Sequence, residues 1–378
     1  MKKVVQYWAF LYWIGNVFAQ YIMFNMFAAP YFYAIIFIGF IALLENMSLL
    51  SKSGMFRANY FIYIYSICMI VYQFTFGLFE INDRTWTYLI SKVVADMMFV
   101  VSVFSYPQFY GRKMFPIIAM GTAVLVFLGF LSGSVDIMSG RQTFGFGNSN
   151  ALSSITAISA ACFFITTDKI KLWHWGILAL LIYGALMGGS RSCVAALIIG
   201  LLFKYGLKPR TLGVIILMVS TLEVVGQIGI ELPGISRFLE SVENADFVSN
   251  REEERLASIL MIKEKPITGN GLYADQSESA KMISELGSHN TYIDLVKFMG
   301  FGFGGFVIIA LFIQLARFYK LFYRSPLLHV RSHLFCAFIV PVMGMFEAYI
   351  WGVNQMTTTI MFISFAYLGY LQKNNVRE

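Results

Sequence analysis

Long uninterrupted apolar stretches recur along the whole sequence, and they restrict the fold more than any other feature. A helix needs roughly 20 apolar residues to cross a bilayer, and about twelve stretches approach that length. The sequence therefore predicts an all-α polytopic membrane protein with about twelve transmembrane helices. In chain order the predicted spans lie near residues 4–24, 28–50, 58–79, 86–106, 114–133, 151–168, 172–190, 191–205, 211–232, 292–316, 333–353 and 357–372.

The composition agrees with a membrane protein and excludes several other classes. Of the 378 residues, 58% are hydrophobic and 13% are charged, whereas a soluble domain carries about 25% charged residues. A soluble fold of this size could not bury so much apolar surface. The 4 cysteines all fall in predicted spans, so the sequence predicts neither a disulfide framework nor a metal site from them.

The predicted spans divide the chain into three parts. Residues 1–232 form a membrane bundle of the first nine spans, and residues 292–378 contain the last three. Between them, residues 233–291 form the largest connection in the chain. Function must therefore come from the bundle, from this large loop, or from both.

Lysine and arginine are distributed unevenly between the connections, which predicts the orientation. With the N-terminus inside, the basic residues of the shorter external connections are only Arg84, Arg141 and Arg191. Most acidic residues lie on the external side or in the external halves of the predicted helices. Both termini are therefore predicted to be cytoplasmic, and the loop 233–291 to be external. The cytoplasmic segments and span ends then hold Lys2, Lys3, Lys52, Arg57, Arg112, Lys113, Lys169, Lys171, Lys204, Lys208, Arg210, Arg317, Lys320, Arg324, Arg331, Lys373 and Arg377.

The external loop is predicted to be partly helical. Ser249-Asn250-Arg251-Glu252 is a capping-box pattern, and Pro266 ends the segment that follows it, so we expect a helix near 250–264. Arg251 and Arg255 are spaced to lie on one face of that helix. These arginines either bind a ligand or pair with neighbouring glutamates on a solvated face.

His289 is the only histidine on the predicted external side. Because an imidazole titrates near neutrality, it can take a proton from a hydroxyl nucleophile. The alternative is an interfacial histidine that caps the following helix.

Arg191 follows Gly188-Gly189-Ser190 at a predicted external turn between two spans. It either reaches toward lipid headgroups or binds an anion, since the guanidinium fork makes paired hydrogen bonds with phosphate groups. The large loop contains six basic and ten acidic residues, so an anionic ligand would need specific arginines. Arginines and a histidine on one side of a membrane indicate transfer chemistry on a lipid-linked diphosphate. Without an acidic cage, we expect neither a metal nor another cofactor.

Ionisable residues inside a predicted span are candidates for function, and there are four of them: Lys92, Asp96, Glu223 and Glu347. Lys92 and Asp96, one turn apart, are expected to neutralise each other, and Glu347 is predicted near the external end of its helix. The glycines at 300–305 are expected to serve close helix packing. His329 and His333 are expected to be interfacial.

Motifs between about residues 145 and 305 resemble the O-antigen polymerase and O-antigen ligase family of bacterial envelope enzymes. The resemblance rests on Gly189-Ser190-Arg191, on Arg251 before an apolar helix that ends in Lys265-Pro266-Ile267-Thr268-Gly269-Asn270-Gly271, and on His289-Asn290-Thr291-Tyr292 with Gly300 and Gly302 behind it. The first five spans are similar to the family only in hydropathy.

The resemblance implies a bacterial inner-membrane glycosyltransferase. Its donor would be a glycan on undecaprenyl diphosphate, attacked at the first sugar by an acceptor hydroxyl on the outer face. By this analogy His289 is the base, and Arg191 and Arg251 bind the diphosphate. The three side chains are therefore expected to converge around one externally facing cavity. Arg255 stands where the family often has an aromatic or apolar residue, and it is either a further donor contact or a partner for the local glutamates. Arg141 is a candidate glycan or phosphate contact by its position in an earlier external loop, and the further residues expected to bind substrate are Asn290, Tyr292 and Glu347.

The partners expected from the resemblance are a lipid-linked oligosaccharide donor and acceptor, membrane lipid and a polysaccharide chain-length regulator, with no nucleic acid. A polymerase of repeat units is favoured, because the segment 289–292 looks closer to the polymerase members. A ligase would transfer the glycan to lipid A core instead. A lipid-linked oligosaccharide flippase or another transporter is the alternative of a different class, against which the large external loop argues.

Overall fold

A computed structural model describes residues 2–77, 83–132, 141–227, 233–243, 252–272, 289–350, 352 and 355–374. Within these ranges the regular secondary structure is helical. The one β-type contact among the described residues is an isolated antiparallel bridge between Tyr21 and Phe146. The helices are α1 (Lys2–Gln20), α2 (Ala28–Glu45), α3 (Met47–Leu50), α4 (Met55–Ala58), α5 (Tyr60–Phe76), α6 (Asp83–Ser105), α7 (Met114–Ser132), α8 (Ser149–Thr166), α9 (Leu172–Met187), α10 (Arg191–Tyr205), α11 (Pro209–Gln227), α12 (Pro233–Glu243), α13 (Glu252–Glu264), α14 (Thr291–Phe322), α15 (Leu328–Met343) and α16 (Met356–Lys373).

The protein is an all-helical membrane protein. In the described part of the chain, five helical stretches are both long and apolar enough to cross a bilayer. Each interval that the sequence predicts as a span contains a helix. Three of these helices are apolar but shorter than the five long stretches, namely α5, α9 and α15. The five long stretches are Ile22–Glu45, Thr85–Ser105, Phe109–Ser132, Ser149–Thr166 and Thr291–Phe322. The first includes a 3-10 helix before α2 (Ile22–Phe27), and the third includes a π-helical turn before α7 (Phe109–Lys113).

Helices α8 and α16 lie at the centre of the bundle. Nearly every residue of both is buried, and α16 packs on α1, α6 and α15. Small side chains allow α8 to approach its neighbours closely, as is usual between helices in a membrane. For example, a Cβ added to Gly200 of α10 would lie 2.7 Å from the Cβ of Ala161 on α8.

Helix α14 is interrupted at Gly300, and a segment of the large loop forms hydrogen bonds with the backbone groups around this interruption. Gly300 has φ +67°, so the helix changes direction there. The amides of Asn270 and Gly271 donate to the carbonyls of Lys297 and Phe298 at 3.0 and 3.1 Å. In return, the amide of Phe301 donates to the carbonyl of Pro266 at 2.8 Å. Unpaired backbone groups are costly within a membrane, and residues 266–271 supply the missing partners.

This arrangement gives the Pro266–Gly271 motif a structural role and refines the prediction for the glycines. Gly300 is a point of close approach, as expected, but its neighbour is the 266–269 backbone rather than another spanning helix. A Cβ at Gly300 would collide with the carbonyl of Ile267. Gly269 and Gly271 adopt φ of +70° and +100°, the left-handed region that favours glycine.

Several local predictions can be compared with the structure directly. The helix expected near 250–264 is confirmed over Glu252–Glu264. Lys92 and Asp96 pair as expected, with Nζ 2.9 Å from Oδ1. The interfacial role expected for His333 is wrong: this side chain is fully buried, and its ring nitrogens contact Ser364 Oγ and the Tyr110 carbonyl, both at 3.1 Å.

Candidate functional site

His289 and Glu347 form a hydrogen-bonded pair at one end of the bundle. His289 Nδ1 lies 3.2 Å from Glu347 Oε2. The imidazole is 35% exposed and the carboxyl group 14% exposed, so the pair lies at the protein surface. A carboxylate can only accept a hydrogen bond, which places the proton of a neutral imidazole on Nδ1 and leaves the Nε2 lone pair as the basic position.

The backbone of His289 is held in an unusual conformation. Its φ is +48°, a region that residues other than glycine rarely adopt. It directly precedes Asn290, the N-cap of α14, whose Oδ1 accepts from the amides of Tyr292 and Ile293 at 3.0 and 3.1 Å. The cap fixes the start of the helix, and it thereby fixes where the histidine side chain leaves the backbone.

Glu347 lies in a non-helical segment between α15 and α16, where the sequence predicted a span over 333–353. The helix ends earlier, at Met343, with Pro341 in its last turn. Proline removes one backbone donor, and the carbonyl of Gly344 accepts from the amide of Thr291 at 2.8 Å instead of continuing the helix. The expected position of Glu347 at the end of a helix is therefore wrong, and the carboxylate is carried by a loop.

The start of α14 holds this loop in place. Asn290 Nδ2 donates to the Met345 carbonyl at 2.9 Å, and Thr291 Oγ1 donates to the Glu347 carbonyl at 3.0 Å. Tyr292 Oη donates to the Pro341 carbonyl at 2.8 Å. Asn290 and Tyr292, which the sequence predicts as substrate contacts, thus use these groups to fix the loop, and their binding role remains a prediction.

A second polar group orients the carboxylate from the other side. Asn150, near the start of α8, donates from Nδ2 to Glu347 Oε1 at 2.9 Å. Arg141 Nη1 in turn donates to Asn150 Oδ1 at 3.0 Å. Arg141, Asn150, Glu347 and His289 therefore form one connected network, in which three separate parts of the sequence meet.

The loop that carries Arg141 is held by backbone hydrogen bonds to residues near the ends of two helices, α1 and α9. The amide of Ile22 donates to the Gly145 carbonyl, and the amide of Gly147 donates to the Gln20 carbonyl, both at 2.8 Å. The amide of Gln142 donates to the Met187 carbonyl at 3.2 Å, at the end of α9. The loop is thus fixed against the end of α1 and the end of α9.

The turn between α9 and α10 lies directly against Arg141. Gly189 has φ +75°, and a Cβ there would lie 2.5 Å from Arg141 Cδ. Arg237 Nη1 donates to the Gly189 carbonyl at 3.2 Å. Arg191 is the first residue of α10 and is partly exposed. The structure therefore brings the Arg191 turn to the Arg141 end of the network.

The other two arginines predicted to bind substrate are Arg251 and Arg255. Arg251 lies outside the described residues. Arg255 lies in the first turn of α13 with an exposed side chain. The expectation that Arg191, Arg251 and His289 converge on one cavity therefore remains a prediction.

A cavity of about 270 Å³ adjoins the network. Asn150 and Glu347 line it, together with Gln20, Gln355 and Thr357 from the neighbouring helix ends. Pockets that enclose a small-molecule ligand have volumes of about 300–1,000 Å³. This cavity lies just below that range, so a larger substrate would extend beyond it.

Sequence reasoning missed Asn150, which connects the arginine to the acid. The available signal was Asn148-Ser149-Asn150 immediately before an apolar stretch, the usual pattern of a helix N-cap. That pattern indicates a helix start, and Asn148 does cap α8 by accepting from the Asn150 amide at 2.7 Å. It does not indicate which distant side chain the second asparagine meets.

In the part of the chain that the structure describes, no three His, Cys, Asp or Glu side chains group together. A scan of the sequence against protein-family models and a search of curated proteins find no match. The site itself consists of a histidine–glutamate pair, in which the glutamate lines a cavity and is linked through an asparagine to an arginine.

Proposed function

We propose that this protein is a membrane glycosyltransferase that polymerises glycan repeat units linked to undecaprenyl diphosphate. The observation that carries the proposal is the His289–Glu347 pair, whose carboxylate lines a cavity and is held there by Asn150. A carboxylate-oriented imidazole is a general base for hydroxyl groups. The neighbouring Arg141 and the Arg191 turn supply positive charge on the same network.

In the proposed reaction, a hydroxyl oxygen of the acceptor forms a bond to the anomeric carbon of the donor's first sugar. The bond from that carbon to the diphosphate oxygen breaks, and the electron pair leaves with undecaprenyl diphosphate. His289 accepts the hydroxyl proton, and Glu347 stabilises the resulting imidazolium. Arg191 and Arg251 stabilise the negative charge that develops on the diphosphate, with Arg141 and Arg255 as further contacts.

The proposal includes the arrangement in the membrane. About twelve helices span the bacterial inner membrane, both termini are cytoplasmic, and residues 233–291 lie outside. The network at the start of α14 then faces the external side, where the repeat units are joined. A polysaccharide chain-length regulator is proposed as a protein partner.

The test is an assay of the purified protein in nanodiscs, with the lipid-diphosphate-linked repeat as the only sugar substrate. Wild type is compared with His289→Ala and with His329→Ala, a histidine at the opposite end of the bundle, at the start of α15. Chain growth by wild type and His329→Ala alone would support the proposal.

The other outcomes separate the alternatives. Transfer only after lipid A core is added would identify a ligase. Inactivity under both conditions, together with movement of the lipid-linked repeat across a vesicle membrane, would identify a transporter and refute the proposal. His289→Ala activity equal to that of wild type would remove the histidine from the mechanism.

A further inference from the structure

A cavity of about 790 Å³ lies at the other end of the bundle from the His289 site. It is built where the end of α14 meets the start of α15, the end of α16 and the turn before α4. About 26 residues of α14 separate it from Thr291, which is roughly 40 Å of helix. The charge distribution predicts this end to be cytoplasmic.

Five cationic side chains line this cavity, and no acidic residue lines it within the described part of the chain. None of the five forms an ion pair with a described residue. Three of them lie over aromatic rings: Arg317 over Tyr60 at 5.2 Å, Arg324 over Tyr323 at 5.0 Å and Lys373 over Phe104 at 5.5 Å. The five are Arg57, Arg317, Lys320, Arg324 and Lys373.

Tertiary folding gathers these charges, because they come from three separate regions of the sequence. Like charges brought together repel each other, and salt screens this repulsion only in part. A bound anion would remove the repulsion and give each guanidinium or ammonium group a partner. Phosphate oxygens match these donors, since arginine binds them in pairs and lysine binds them as a point charge.

The rest of the lining favours a lipid over a soluble phosphate. Besides the cations, the lining includes the apolar side chains Leu321, Leu327, Val330 and Leu371, together with a few small or polar residues such as Ser53 and Gln372. Outside the cavity, Tyr319 remains 53% exposed on a helix long enough to cross a bilayer. A phospholipid provides both an anionic headgroup and apolar chains, whereas a free phosphate provides only the first.

We propose that this cavity binds the phosphate-bearing headgroup of an anionic phospholipid, whose chains remain against the apolar wall. Basic clusters at the cytoplasmic ends of transmembrane helices are suited to such lipids. Bound there, the lipid joins α14 to α16 and to the turn before α4. The site is independent of the proposed transferase reaction, because its ligand is not the substrate.

The test measures binding to the full-length protein purified in detergent. Phosphatidylglycerol, phosphatidylcholine and sodium diphosphate are titrated separately, and the thermal midpoint and the apparent Kd are recorded. Phosphatidylglycerol is expected to bind saturably and to raise the midpoint, whereas the other two are not. The double variant Arg317→Gln with Arg324→Gln should bind phosphatidylglycerol about tenfold or more weakly.

The matched control is Lys208→Gln with Arg210→Gln, which removes the same charge from two exposed residues at the same predicted side. It should change the apparent Kd by less than about twofold. Equal losses in both double variants, or equally tight binding of phosphatidylcholine or diphosphate, would overturn the proposal.

A second measurement does not depend on the variants being folded. A photoactivatable phosphatidylglycerol is cross-linked to wild type, and the labelled peptides are identified by mass spectrometry. Labels at 317–330 or 371–373 would support the site. Labels confined to other regions would refute it.

Discussion

Two acid–base pairs in this protein have similar geometry and very different surroundings. Lys92 Nζ lies 2.9 Å from Asp96 Oδ1, and His289 Nδ1 lies 3.2 Å from Glu347 Oε2. The side chains of the first pair are 3% and 0% exposed, whereas those of the second are 35% and 14% exposed. The first pair joins neighbours one turn apart on α6, while the second joins residues 58 positions apart.

The difference indicates which pair can do chemistry. Lys92 is enclosed by the ring of Phe362 at 4.0 Å and that of Tyr65 at 5.1 Å, so it contacts the bundle and not a substrate. Its partner makes the buried charge tolerable. His289 and Glu347 are accessible, and Glu347 lines a cavity. We therefore expect the buried pair to control stability and the exposed pair to control turnover.

Replacing His289 by alanine should produce the largest effect. The glycan-transfer rate should fall by about 10²- to 10⁴-fold, because the general base is lost. The thermal midpoint should change little, since the side chain is partly exposed. Measuring turnover and thermal unfolding on the same preparation tests both expectations. A large fall in stability with a normal rate per folded molecule would show that His289 contributes to stability and not to turnover.

Replacing Asp96 by alanine should destabilise the protein by about 3–5 kcal/mol, because it leaves the Lys92 charge buried without a partner. Denaturant unfolding in detergent measures this loss. The double variant Lys92→Met with Asp96→Leu should recover most of the stability and keep turnover. If the double variant were stable but inactive, the buried pair would take part in the reaction, and its role would not be limited to stability.

Replacing Glu347 by glutamine should have an intermediate effect on rate. The amide keeps the shape of the carboxyl group but removes its charge, and a hydrogen bond to a charged group contributes about 1.5–3 kcal/mol. We expect turnover to fall by roughly 10- to 100-fold. Glu45→Gln, at an exposed glutamate at the end of α2, is the matched control and should retain the wild-type rate. A neutral result for Glu347→Gln would show that His289 acts without it.

Replacing Asn150 by alanine should give the smallest of these effects. Asn150 acts through Glu347, and one hydrogen bond contributes about 1 kcal/mol, so turnover should fall by roughly fivefold. Asn374→Ala removes an exposed asparagine whose Nδ2 donates to the Tyr370 carbonyl, and it should leave turnover unchanged. A fall for Asn150→Ala as large as that for His289→Ala would mean that Asn150 contacts the substrate directly.

Local features of the fold were predictable because short-range physics fixes them. The apolar stretches, the helix over Glu252–Glu264 and the Lys92–Asp96 pair all follow from residues within a few turns of each other. The role of Pro266–Gly271 was not predictable in this way. Its partners are the backbone groups of Lys297, Phe298 and Phe301, and a sequence motif does not show which distant helix is interrupted.

The candidate site shows the same division. The choice of His289 and Arg141 followed from residue type and predicted side. The connection between them did not, because it passes through Asn150 and Glu347, two residues 197 positions apart. The early end of α15 also depends on contacts with the start of α14, which an apolar count does not detect.

By itself, the sequence predicted a helical membrane protein, because its apolar stretches of spanning length exceed what a soluble fold of this size can bury. It also determined where most helices lie. The tertiary structure alone decided that Glu347 lies beyond the end of its helix and meets His289. It alone also decided that five cations surround one cavity: Arg57, Arg317, Lys320, Arg324 and Lys373. Both outcomes depend on contacts between residues far apart in the chain, whose side chains meet only after the helices pack.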